Sequence, residues 1–152
     1  MGTVTVLRLE DAKGRGCFEV AAMQDYTTAA VVAGLMTREE DEYAHFHSAE
    51  RGCPAPSMDY ALQDAFTARN FTMWTRGARF GFPSAEVARE WFPPCMVDAL
   101  KANKQTLTVW EVPEDAVAAS DRQCVFRRDQ AKLIERLPVE ALYDPSRTFT
   151  TP

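Results

Sequence analysis

Val4 and Val6 alternate with Thr3, Thr5 and Leu7 in a β-branched run, and Asp11-Ala12-Lys13-Gly14-Arg15-Gly16 supplies the turn chemistry that ends it. The spacing predicts a strand over 3–9. A period of two puts Arg8 on the side of Val4 and Val6, so a cation closes an otherwise apolar face. A snorkelling arginine at a strand end explains the same position.

Between Asp25 and Tyr43, Ala29, Val32, Leu35 and Met36 recur at helical spacing behind a potential Asp25 cap, with Gly34 and β-branched pairs opposing the pattern. Residues 45–56, with Gly52, Pro54 and Pro56, predict a loop. Ser57 then caps a predicted helix whose Met58, Leu62, Ala65 and Phe66 share one face.

Phe71–Phe82 is rich in aromatics, is broken by Gly77 and Gly81, and predicts a strand or hairpin. Ser84 follows as an N-cap for a helix over 85–92. In that helix Val87, Ala88, Trp91 and Phe92 form one stripe, Glu86 sits in the first turn, and Pro93-Pro94 end it. A short amphipathic turn with Met96, Val97 and Leu100 leads to a strand over 106–112, ended by Pro113. Residues 114–121 predict a connection and Gln123–Phe126 a short strand. Asp129 is expected to cap a last helix with Leu133, Ile134 and Leu137 inward and Pro138 at its end. Strands and helices without strict βαβ alternation predict an α+β fold with a mixed or antiparallel sheet and flanking helices. The expected organisation is one domain over 1–144 and a flexible tail over 145–152.

At 152 residues the chain is long enough for a real core, since a domain of this size buries roughly 68–70% of its unfolded surface. A hydrophobic content of 46% beside 26% charged residues excludes a disordered or fibrous chain. The formal charge of −5 argues against nucleic acid as a partner, because phosphate-backbone binding needs clustered cations. A local basic patch is still compatible with Arg76, Arg79, Arg122, Arg127, Arg128 and Lys132 in the second half, and Glu39–Glu42 reads as a solvated acidic face. No stretch has the ~18 apolar residues of a membrane span, and no secretory leader pattern opens the chain. A cytoplasmic location follows as the expectation.

Cys17, Cys53, Cys95 and Cys124 are far apart, without a C-x-x-C pair, and read as reduced structural thiols; a zinc site is the alternative. No metal is expected. The Asn70-Phe71-Thr72 sequon has no consequence in a chain that stays in the cytoplasm. His45 and His47 are available as a base or as ligands, and as bystanders of an exposed loop. No nucleophile elbow, Walker loop, Rossmann fingerprint or H-E-x-x-H helix is present, and Gly14-Arg15-Gly16 alone does not signal phosphate binding.

Arg8 on the first strand, Phe80-Gly81-Phe82-Pro83-Ser84 before a helix, and a late strand at Arg122-Gln123-Cys124-Val125-Phe126 resemble the layout of ADP-ribosyltransferase folds of the Arg-Ser-Glu kind. The chain is also similar to small proteins of bacteria and their phages with a Phe-Gly-Phe-x-Ser block, a Trp-Phe pair and a Gln-x-Val-Phe-like strand. The resemblance covers roughly residues 3–135 in order of elements.

It implies NAD as cofactor, with Arg8 near phosphate or ribose, Ser84 orienting the nicotinamide ribose, and Phe80 and Phe82 as stacking surfaces beside Trp74. The position that holds the catalytic Glu in such enzymes aligns with Gln123. A neutral amide offers no charge to an oxocarbenium-like centre, so Ser84 and Gln123 define a catalytic pair with weakened or lost catalysis. Each position also has a structural explanation: Ser84 as an N-cap, Arg8 in an ion pair, Gln123 at a sheet edge, the aromatics as core. The alternative function is a non-catalytic phage-type interaction protein that binds and inhibits a host enzyme or defence complex.

Overall fold

The computed structural model describes residues 2–16, 59–68 and 78–149. The expected helix between Asp25 and Tyr43, the loop over 45–56, Ser57, Trp74, Cys17, Cys53 and both histidines lie outside the described residues.

Strand β1 (Thr3–Glu10) runs one residue past its predicted end. It pairs antiparallel with β3 (Thr106–Pro113), which pairs antiparallel with β6 (Lys132–Pro138). In a second sheet β5 (Cys124–Arg127) lies between β2 (Ala78–Gly81) and β4 (Val117–Ala119), again antiparallel. The expected α+β class is therefore found, with antiparallel pairing in both sheets.

Strand alternation gives β1 and β3 of the first sheet two buried faces. Leu7, Leu9, Leu107 and Val109 pack on Ala88, Trp91 and Phe92 around helix α2 (Ala85–Trp91), on Leu100 of helix α3 (Val97–Ala102), and on Val139 and Leu142. Val6, Trp110 and Val112 point the other way and meet Val117, Cys124 and Phe126 of the second sheet. The far side of that sheet gives Val125 and Ala118 to Leu62 of helix α1 (Tyr60–Ala68). Helices thus flank a pair of stacked sheets, and each buried Leu, Val or Phe contributes about 1.5–3 kcal/mol.

The sheets are joined where β2 ends. Leu7 N–H donates to the Phe82 carbonyl at 3.0 Å and Phe82 N–H to the Leu7 carbonyl at 2.7 Å. Gly81 permits this approach, because a Cβ there would stand 2.6 Å from Val6 Cγ1 and 2.9 Å from the Leu7 carbonyl oxygen. The chain then enters α2 through Ser84, whose Oγ accepts from Val87 N–H at 3.2 Å, the cap expected. Phe92 ends α2 before Pro93, also as expected.

Three expectations are corrected. The last helix predicted behind Asp129 is strand β6, and Asp129 lies in a short 3-10 turn over Arg128–Gln130. In β6 Glu135 opposes Val109 while Leu133 opposes Trp110, so Ile134 is the extra residue of a bulge. That insertion turns a strand's alternation into the spacing of an amphipathic helix, and it leaves Leu133 and Ile134 each 41% exposed where burial was expected. The predicted connection over 114–121 contains β4. Helix α1 starts at Tyr60 with Asp59 as its cap, the Asp59 carboxylate accepting from Leu62 N–H at 3.1 Å. Of the residues assigned to a tail, Arg147 Nη2 pairs with Glu135 at 2.7 Å and Phe149 packs against the first core cluster.

Candidate functional site

The polar centre of the first sheet is Glu10, a carboxylate with no exposure, on the face shared by Val6 and Arg8. Three guanidinium groups reach it. Arg8 Nε donates to Oε2 at 3.1 Å, Arg128 Nη2 lies 3.2 Å from Oε1, and Arg136 Nη2 lies 3.5 Å from the same oxygen. Burial of a carboxylate is tolerable only with this kind of pairing. Arg8 is itself buried and also donates from Nη1 to the Phe80 carbonyl at 2.7 Å and from Nη2 to the Gly14 carbonyl at 2.9 Å. The sequence put a cation at the end of an apolar face; in the fold that cation is tied into a network across both sheets.

The turn after β1 closes over this network. Asp11 Oδ1 accepts from the backbone N–H groups of Lys13 and Arg15, each at 2.9 Å, and Oδ2 accepts from Arg15 Nε at 2.8 Å. Gly14 adopts φ +78, and a Cβ on it would lie 3.2 Å from Arg128 Nη2. A Cβ on Gly16 would lie 3.2 Å from Arg8 Nη2. The Gly-Arg-Gly run, uninformative as a motif, is small because two guanidinium groups lie against its backbone. Arg128 is also stacked over the Trp110 ring, 4.8 Å from its centroid.

A second polar cluster holds Gln123. Its Nε2 donates to Asp59 Oδ2 at 3.0 Å, and Ser120 Oγ donates to the same oxygen at 2.6 Å. Burial pushes the Asp59 carboxyl up, but hydrogen bonds from Ser120, Gln123 and the Leu62 amide, with the charge of Arg122, outweigh it and hold the group below its ordinary value. Asp59 thus ties the start of α1 to the β4–β5 turn. Trp91 Nε1 reaches the same turn, donating to the Arg122 carbonyl at 2.8 Å.

Backbone pairing brings the surroundings of Arg8, Ser84 and Gln123 together, since Leu7 bridges Phe82 and Gly81 opposes Cys124. Their side chains go to different partners. Arg8 serves Glu10, Gly14 and Phe80, Ser84 serves Val87, and Gln123 serves Asp59. Of the aromatics, Phe82 is buried between Trp91 and Phe92, with ring centroids 5.8 Å away in each case, while Phe80 is 41% exposed. Cys124 is buried and Cys95 exposed, both as free thiols, and burial pushes the Cys124 thiol up to about 12 against the smaller opposing effects of a Gly81 hydrogen bond and the Arg8 charge. Among the described residues no group of three or more His, Cys, Asp or Glu is arranged to hold a metal ion, and no helix is long and apolar enough to cross a membrane.

Glu10 and its partners Arg128 and Arg136 were not singled out as a site by the sequence. The available signal was the i, i+2 spacing of Arg8 and Glu10, with Glu10 one residue past the predicted strand end; Arg128 and Arg136 lie more than a hundred residues away.

Comparison with known proteins adds the family. No curated protein and no solved structure matches the chain. A family model described as the bacteriophage T4 Y00F protein matches residues 1–140. With nearly the whole chain covered, the protein belongs to the bacteriophage T4 Y00F protein family.

Proposed function

We propose that this chain is a non-catalytic phage-type interaction protein that binds, and thereby inhibits, a host enzyme or defence complex. The observation that carries this reading is the pair Leu133 and Ile134, both 41% exposed and adjacent on β6, the edge strand of its sheet among the described residues. Exposed apolar side chains on a strand edge are the usual starting point for a partner segment to dock. The bulge at Ile134 and the flanking Lys132, Glu135 and Arg136 discourage indiscriminate edge pairing, which favours a specific partner. Membership of a phage protein family is compatible with this role.

A second reading, NAD binding by an ADP-ribosyltransferase-like domain through Arg8, Ser84, Phe80 and Phe82, draws on the order of elements and on the exposed Phe80 ring. It asks Arg8 and Gln123 to leave buried hydrogen bonds to Glu10 and Asp59. Gln123 also brings no carboxylate, so catalysis by Ser84 and Gln123 is the weaker half of that reading.

The test is affinity capture from bacterial host lysate with the wild-type chain and with a Leu133→Ser/Ile134→Ser variant, beside thermal melts with NAD. A host protein retained by the wild type, released by the variant and inhibited in its own assay supports the interaction reading. Equal capture by both chains removes the β6 face from it. A melting shift at millimolar NAD that Arg8→Ala abolishes transfers support to the second reading.

A further inference from the structure

We propose that Arg128 and Arg136 form a binding site for a phosphate dianion, free or as a monoester. This inference does not depend on the protein-binding role. Three guanidinium groups converge on the single carboxylate of Glu10, which leaves two formal positive charges in excess. Arg8 is enclosed, but the side chains of Arg128 and Arg136 are 34% and 37% exposed, so the excess faces solvent at these two.

Both are held in place before any ligand arrives. Arg128 is stacked on Trp110 and backed by Gly14, whose positive φ and missing Cβ allow the contact. Arg136 Nη1 donates to Thr106 Oγ1 at 2.9 Å, and Thr106 Oγ1 donates in turn to the Glu10 carbonyl at 3.1 Å. Both guanidinium groups address Glu10 Oε1, at 3.2 and 3.5 Å, so the two cations are neighbours at that oxygen. A guanidinium carries five N–H donors, and these bonds use only part of each set.

Paired guanidinium forks match the oxygens of carboxylates and phosphates. The excess of two charges selects a dianion over a single carboxylate. The whole chain's net charge of −5 favours a small anion over a nucleic acid strand, whose binding needs an extended run of cations.

The experiment is titration of the full chain with inorganic phosphate at constant ionic strength, followed by the indole N–H resonance of Trp110, with adenosine monophosphate as the esterified probe. That indole donates to Thr108 Oγ1 at 2.8 Å, so it reports on the floor of the site without touching the ligand. We expect a saturable shift that Arg136→Gln weakens about tenfold or more, the equivalent of one good charged contact. Arg122→Gln, which removes a cation paired with Glu90 and acting on Asp59 but not on Glu10, leaves it unchanged. Should Arg136→Gln fail to fold, Arg128→Lys keeps the charge, loses the fork and gives the same weakening. Binding of adenosine monophosphate supports the ester form and binding of inorganic phosphate alone the free ion. Absence of saturation with both probes, or equal binding by the wild type and the folded variant, overturns the proposal.

Discussion

Arg8 Nε and Glu10 Oε2 meet at 3.1 Å on one face of β1, with side-chain exposures of 5% and 0%. A charged pair this deep is stable only as a pair, and here the carboxylate has two further cations while the guanidinium has two backbone carbonyls.

Removing the negative charge should therefore be far more damaging than its single position suggests. Glu10→Gln leaves Arg8, Arg128 and Arg136 facing one another without their common counter-ion. The expected loss is about 3–5 kcal/mol, the range for breaking a buried pair from one side. Urea denaturation of the variant and the wild type measures it; a loss within experimental error would mean that Glu10 does not anchor the network.

The Asp59 tie carries a pH signature. Its folded carboxyl titrates below the ordinary value of 3.8, so its contribution to stability is complete above the unfolded value and is lost as the pH falls through the lower folded one. Asp59→Asn keeps an acceptor for the α1 cap but loses the charged acceptor of Ser120 and Gln123, an expected cost of about 1–3 kcal/mol. Asp59→Ala adds the lost cap, a further ~1 kcal/mol. Stability of the Asn variant should fall less between pH 5 and about pH 3 than that of the wild type, as denaturation curves across this range will show. Parallel pH profiles would sink the assignment.

The two described thiols should differ sharply in reactivity. Cys95 is exposed in the 3-10 turn between α2 and α3, whereas the buried Cys124 thiol is pushed up to about 12 and stays protonated at neutral pH. Brief alkylation of the native protein followed by peptide mass spectrometry should modify Cys95 and spare Cys124. Modification of Cys124 should appear only in denaturant.

Local signals were read well where one element explains itself. Ser84, Glu86, Trp91 and Pro93 describe a capped, amphipathic helix without help from elsewhere, and β1 and β3 carry enough β-branched alternation to be recognised. Reading failed where the pairing partner decides. Leu133, Ile134 and Leu137 look helical only because a bulge at Ile134 interrupts the alternation, and β4 is three small residues that become a strand through pairing with β5. The same distinction holds for the polar groups. The cap role of Ser84 is local and legible, while the bonds of Arg8 to Phe80, of Glu10 to Arg128 and of Gln123 to Asp59 span 72, 118 and 64 positions. Nothing in the neighbourhood of either partner announces them.

The antiparallel register of β1 on β3 has a temporal consequence. Thr3 lies opposite Pro113 and Glu10 opposite Thr106, so β1 must wait for residues about a hundred positions later. At translation rates of about 5–20 residues per second, that delay is on the order of 5–20 seconds. During it β1 lacks its β3 ladder, and pairing across so long a separation is intrinsically slow because loop closure precedes the contacts that reward it. Ribosome stalling before Thr106, or truncation there, thus yields a chain in which β1 is primed for the wrong neighbour.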